Sequence, residues 1–399
     1  MKGFKAGATA IACVIALFCI TARADENTNP AKTSDATVTA AADQAVVKLP
    51  EAKPATPAPT QAAIKVNDNV MFRFGVLVQP QADMLETSAG TDGYSQNMML
   101  RRVRLMLGGQ VSKNLFFFFD TESSRLGNAS AAGAKNWTGS FQVLDAVAEY
   151  RYSKAVNLWA GLIYLPTSRE ALKSSATEFM LDQNSYAYTA TTALMGTAGR
   201  DTGVMARGYF LKDKLEYRAG VFSGYREAGL RNSMRRIVRV QYNFLDTEPY
   251  AMPSYPGSYF GAKKIVAIGA AYDAQNDYRG YSADLFVDVP VSFGAAQTTL
   301  SFQQLDGAKT VTALPKSSTF AIDAGAYSKK IRIGPWVRYE ERNYSAAANK
   351  SKNEKRSIVG INWYPALNNF NVKVGYGVLK PEVGRDIKQA TVQMQFYFY

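Results

Sequence analysis

"NMMLRRVRLMLGGQV" occupies Asn97 to Val111. A β-strand sends successive side chains to opposite faces, so the stretch is read at a period of two. Leu100, Arg102, Arg104, Met106 and Gly108 share one face; Arg101, Val103, Leu105, Leu107, Gly109 and Val111 share the other. One face is almost wholly apolar and the other carries two neighbouring guanidinium groups. A strand between lipid and a water-filled lumen needs that division. Reversing its register would put Arg102 and Arg104 into hydrocarbon, at about 2–4 kcal/mol each near the midplane. Arg101 falls with the apolar set and is expected at the membrane boundary, where its charge reaches water.

The same division recurs to the end of the chain. Phe72, Phe74, Val76 and Val78 oppose Arg73, Gly75, Leu77 and Gln79. Leu215, Tyr217, Ala219 and Val221 oppose Glu216 and Arg218, while Val238, Val240 and Tyr242 oppose Arg239 and Gln241. Val337 and Tyr339 oppose Arg338 and Glu340; Val372, Val374 and Tyr376 oppose Asn371 and Lys373. About sixteen such runs are found, roughly one per twenty residues with its connection. They begin near Val70, Asn97, Leu115, Ser140, Ala155, Asp201, Lys214, Ser233, Tyr259, Tyr278, Val291, Ser318, Ser328, Asn353, Phe370 and Ile387. Short connections ("VSKN", Val111 to Asn114; "LKDK", Leu211 to Lys214) alternate with long ones ("LETSAGTDGYSQ", Leu85 to Gln96). Asp246 to Ser258 breaks this scheme, being long where a short connection is expected.

A soluble β-sandwich also alternates, with its polar face in water. Here the apolar face persists along every strand without a second domain's signature. The 23 Tyr and 21 Phe cluster near strand ends, as at "LFFFFD" (Leu115 to Asp120), which suits interfacial girdles. No run after the N-terminus reaches the roughly 18 apolar residues of a spanning helix, so a membrane-spanning chain of this sequence must be a barrel.

The N-terminus carries Lys2 and Lys5, an apolar stretch from Ala6 to Ile20, and a small-x-small site at Ala22-Arg23-Ala24. This is the pattern of a secretory signal peptide, residues 1–24, with cleavage after Ala24. Residues 25–69 are rich in Ala, Pro, Thr and Lys, as in "PEAKPATPAPT", and read as a disordered periplasmic linker. The barrel domain spans 70–399. Both cysteines, Cys13 and Cys19, fall in the signal, so no disulfide framework is available to the mature chain.

The chain has no histidine. That removes Ser-His-Asp and Cys-His catalysis and His-based zinc sites, so no enzyme, metal or cofactor is expected. The formal net charge of +13 becomes +10 without Lys2, Lys5 and Arg23. For an exported protein such a charge points to anionic solutes or a membrane surface, not to nucleic acid.

Three segments carry a family resemblance. "LRRVRLMLGGQVSKNLFFFFDTE" resembles the Arg-rich early hairpin of the phosphate-selective porin O and P family. "LWAGLIYLPTSREALKSS" (Leu158 to Ser175) resembles its Gly-x-x-x-x-Pro-x-x-x-Glu segment, and "GRDTGVMARGYF" (Gly199 to Phe210) its Gly-Arg-Asp-x-Gly strand start. The resemblance implies a sixteen-stranded, homotrimeric outer-membrane barrel of a Gram-negative bacterium, in contact with outer-membrane lipid. It also implies a long third extracellular loop folded into the channel and basic residues along an anion path. The stretch from about Tyr164 to Arg200 stands at that loop's place and offers Arg169, Lys173 and Arg200. Two departures are visible: Tyr164 stands where the family often has lysine, and Lys173 is the loop's one lysine.

The function expected is passive diffusion of small anions, including phosphate or other oxyanions. The path is expected to be lined by Arg73, Arg102, Arg104, Arg218, Arg239, Arg338 and Lys373. These cations can instead pair with lumen acids such as Glu216 and Glu340 and stiffen the wall. The loop cations can instead pin the loop, with Arg200–Asp201 as the first candidate pair. A porin of other or no selectivity, and a structural or partner-binding barrel, remain alternatives.

Overall fold

The computed structural model describes residues 62–86, 93–130, 133–228, 232–249 and 253–399. The expected signal peptide and the linker up to residue 61 lie outside the described residues.

The strands are β1 (Ala63–Asn67), β2 (Val70–Glu86), β3 (Tyr94–Gln110), β4 (Leu115–Leu126), β5 (Gln142–Ser153), β6 (Val156–Tyr164), β7 (Arg200–Phe210), β8 (Leu215–Phe222) and β9 (Arg235–Asn243). They continue with β10 (Ile265–Gln275), β11 (Tyr278–Val291), β12 (Gly294–Asp306), β13 (Ser317–Ser328), β14 (Ile333–Tyr344), β15 (Glu354–Ala366), β16 (Phe370–Pro381) and β17 (Ile387–Phe398). From β2 to β17 each strand pairs antiparallel with its chain neighbours, and β17 pairs with β2. The result is a closed antiparallel barrel of sixteen strands. Closure pairs every strand on both sides, which a bilayer demands because it offers no water to an open edge. The short β1 falls in the stretch read as linker and pairs with Val70–Arg73 at the start of β2.

The alternation in the sequence becomes inside and outside. Leu105, Val204, Val238, Val240, Val337, Val359 and Val374 are exposed on the outer surface, while Arg102, Arg218, Arg239, Asn362 and Lys373 are buried within. One residue departs from strict alternation. Gln79 pairs with Arg102 but Pro80 pairs with Leu100, so Arg101 is the extra residue of a β-bulge. The bulge turns Arg101 inward, where its guanidinium meets Asp182 at 2.7 Å. The expectation that Arg101 lies on the lipid face at the membrane boundary is therefore corrected. Period-two reading cannot see an inserted residue.

Two strands begin about five residues or more later than the sequence suggests. β10 begins at Ile265 rather than near Tyr259, because Tyr259 and Phe260 turn inward, Tyr259 to Glu248 and Phe260 into an aromatic cluster. β14 begins at Ile333 rather than near Ser328, because β13 runs on to Ser328 and a turn follows through Arg332.

Strand parity fixes which connections share a mouth. The connections β2–β3, β4–β5 and β6–β7 lie at one end; β3–β4, β5–β6 and β9–β10 lie at the other. The β6–β7 connection contains α1 (Arg169–Leu172) and α2 (Thr189–Ala193). Ser168 caps α1, its Oγ accepting from the N–H of Ala171 at 3.0 Å. At the β17–β2 seam the C-terminal Tyr399 lies against Gly75 and Gly108, edge-on to Phe118 with ring centres 5.8 Å apart.

Candidate pore and vestibule

A polypeptide crossing the lumen must satisfy its own backbone groups. The inner wall supplies the partners. The backbone carbonyl of Thr167 accepts from Ser282 Oγ, that of Ala176 from Gln395 Nε2, that of Phe179 from Asn362 Nδ2 and Tyr364 Oη, and that of Asp182 from Arg338 Nη1. Lys373 Nζ donates to the carbonyls of Glu178 and Met180. These donors come from β11, β14, β15, β16 and β17, so the β6–β7 connection is tied to the inner wall strand by strand. Apolar contact adds to this: Phe179 packs with Phe260, Tyr327, Trp336 and Tyr364.

Arg169, Lys173 and Arg200 anchor this segment. Arg169 makes a two-pronged pair with Glu248 at 2.7 and 2.9 Å and lies 3.7 Å from the ring centre of Phe286. Lys173 meets Glu170 at 2.8 Å and Glu178 at 2.7 Å. Burial alone would lower the Lys173 pKa, but the two carboxylates hold it above its ordinary value. Arg200 pairs with Asp145 across the barrel wall and lies over the Tyr164 ring at 3.5 Å. Its partner is thus Asp145, not the adjacent Asp201, whose carboxylate accepts from the N–H groups of Thr202 and Gly224. Two residues in sequence alternate across a strand, so Arg200 and Asp201 cannot readily share a side.

The wall cations expected along the path are all inward, with different company. Arg218 and Arg207 share Glu216, Arg239 holds Asp284 through both terminal nitrogens, and Arg338 holds Asp323. Arg104 lies 2.6 Å from Glu122, and Arg102 2.7 Å from Asp182. Lys373 sits beneath the β6–β7 connection as a donor to its carbonyls. Arg73, at the other mouth, has no carboxylate partner among the described residues.

Of the water-accessible spaces along the lumen, one has the largest surplus of lining arginines over lining acids. A cavity of about 550 Å³ lies between the β6–β7 connection and the wall formed by β2–β4 and β14–β17. Arg101, Arg102, Arg125, Arg338 and Arg356 line it, against Asp83 and Asp182 as its only lining acids among the described residues. Arg101 and Arg102 converge on Asp182 from one side, and Arg338 binds the Asp182 carbonyl from another. Burial pushes the Asp182 carboxyl up, but the two guanidinium groups outweigh it and hold it below the usual carboxylate range. The sequence reading missed Arg101, Arg125 and Arg356. A bulge hides the first, and the other two stand near strand ends, where alternation gives no direction.

The profile of the phosphate-selective porin O and P family matches residues 74–313. The chain belongs to this family. As an outer-membrane porin it has the build of a channel. Solved barrels share its fold at low identity. OmpF of Salmonella typhi, solved with daunomycin, superposes with a TM-score of 0.59 at 15% identity, covering 84% of this chain and 100% of that one. An anion-selective porin from Comamonas acidovorans gives 0.58 at 11% identity, with 82% and 100% covered. OmpT of Vibrio cholerae in its trimer form gives 0.53 at 11% identity, with 83% and 100% covered. No curated protein matched this porin.

Below the vestibule the porin narrows. A cavity of about 30 Å³ is bounded on the wall side by Arg104, Asp120, Asp145 and Tyr164. At the far mouth a third cavity of about 240 Å³ contains Arg73, Arg151 and Glu149. The vestibule lies against β2–β4 and β14–β17, and the two smaller cavities against β2–β6 and the end of β17. The opposite side is filled by Arg169, Tyr255, Arg218 and Arg239 with their partners.

Proposed function

We propose that this porin passes small anions by passive diffusion along the side of its lumen formed by β14–β17 and β2–β6, working as a homotrimer. The observation that carries the reading is the vestibule, where five arginines face about 550 Å³ of space with two aspartates among them. Arginine remains charged at any working pH, and its planar fork matches carboxylate and phosphate oxygens. A vestibule of that sign concentrates anions at the entrance and repels cations. Arg101 and Arg102 are partly neutralised by Asp182, Arg338 by Asp323 and Arg356 by Glu340, which keeps binding weak enough for release. The Comamonas porin's selectivity and the trimer form of OmpT support the preference and the assembly.

The test is single-channel conductance of the purified protein in a planar bilayer under a salt gradient. A reversal potential of anion-selective sign supports the reading, and block of chloride current by added phosphate extends it to oxyanions. A cation-selective potential, or no current from folded protein, overturns it. A second reading, a weakly selective pore, is favoured by the narrow cavity, where Asp120 and Asp145 stand beside Arg104. It predicts a reversal potential near zero.

A further inference from the structure

The β9–β10 connection is the one that departs from the alternation of short and long, and its Glu248, Ser254, Tyr255 and Ser258 turn into the lumen. It enters from the mouth opposite to the β6–β7 connection. The two meet backbone to backbone: the N–H of Tyr255 donates to the carbonyl of Leu172 at 2.8 Å, and the N–H of Ser174 donates to the carbonyl of Tyr255 at 2.9 Å. This makes a parallel bridge between Lys173 and Tyr255. Two residues on, the N–H of Gly257 donates to Thr177 Oγ1 at 2.8 Å. A side chain at 257 would come within 2.5 Å of the Thr177 carbonyl, so glycine permits the approach.

The contact is firmly held. The Tyr255 hydroxyl donates to Glu216 at 2.7 Å, and its ring lies between Arg169 and Arg218, 4.7 and 4.6 Å from its centre. Glu248 of the same connection holds Arg169. In extended chain Tyr255 points one way and its neighbours the other. Tyr255 fills the closed side of the lumen, while Ser254 and Pro256 face the narrow cavity. Ser174, Ala176 and Thr177 of the β6–β7 connection face it too. At about 30 Å³ it has room for about two waters.

We propose that the β9–β10 connection is a second jaw of the constriction, and that Ser254 and Pro256 are specificity-determining residues that limit solute size. The inference rests on the channel reading above. A solute passing the vestibule then meets a slot walled by two segments from opposite mouths. Charge preference is set above the slot and size is set within it.

The experiment uses the S254C and S174C variants, reacted in a bilayer with an anionic methanethiosulfonate reagent, with wild-type protein as control. Mass spectrometry reads modification and single-channel current reads block. Both variants are expected to be modified and to lose more than half their current, with wild type unaffected. S254C that is modified without loss of current, or stays unmodified where S174C reacts, overturns the second jaw while leaving the porin intact. S254W adds bulk without a reagent: a fall in current supports the proposal, and an unchanged current overturns it. A wild-type protein without current overturns the channel reading, and the proposal with it.

Discussion

Two sides of one lumen carry the same residue type to different ends. Along β7–β11, Arg207, Arg218, Arg235 and Arg239 are each within ion-pair distance of a buried Asp or Glu, and Arg218, Arg235 and Arg239 are fully buried. Along β2–β4 and β14–β17, arginines outnumber acids on the lining of an open cavity, although Arg338 and Arg356 also reach Asp323 and Glu340 behind it. An arginine on the inner face of a barrel strand is therefore no sign of an ion path in itself. The sign is an arginine whose charge exceeds that of its neighbours, beside space that water can enter.

The contrast is broken most strongly by removing one member of a filled-side pair. Glu248→Ala leaves Arg169 buried without its carboxylate, and such a loss costs about 3–5 kcal/mol. The expected result is a lower urea midpoint for barrel unfolding in detergent, with noisier current as the β6–β7 connection loosens. Arg239→Gln should also lower the midpoint, by leaving Asp284 unmatched, yet leave the reversal potential where it was. A shift in selectivity from Arg239→Gln would erase the distinction between the two sides.

On the open side the order of effects inverts. Arg125→Glu with Arg356→Glu should move the reversal potential toward cation preference, with little change in the unfolding midpoint. Both residues lie on the vestibule, and neither is fully buried. A single Arg125→Gln should give a smaller shift that fades at about 1 M salt, where screening acts over about 3 Å.

The smallest effect expected is that of pH. The Asp182 pKa is lower folded than unfolded, so its ion pairs add stability above the ordinary carboxylate value, about 3.9. That contribution is lost only as the pH falls through the lowered value. With no histidine in the chain and arginine charged throughout, the charge of the vestibule itself should stay constant between about pH 5 and 8. A step in the reversal potential within that window would show that a group outside the vestibule governs selectivity.

Legibility in the sequence followed the same divide. Strand number, inward and outward faces and most strand starts could be read, because a period of two ties each residue to lipid or lumen. Arg218, Arg239 and Arg338 were placed on the correct face for that reason. Their partners could not be read: Asp284 and Asp323 lie on other strands, and pairing across a barrel depends on register. Arg101 was misplaced by one inserted residue. The β9–β10 connection was visible only as an irregular length, since nothing in Asp246 to Ser258 announces which way it turns.

The last residue adds a consequence for assembly. Tyr399 rests where Gly75 and Gly108 leave room: a methyl group at 75 would collide with its ring and one at 108 with its hydroxyl. A slip of two residues between the final strand and the first would bring that ring against Arg73 or Leu77 instead. The seam therefore works as a key and a keyway. The end of the chain fits only one alignment of the closing edges, so the sheet can test its own circumference before it shuts.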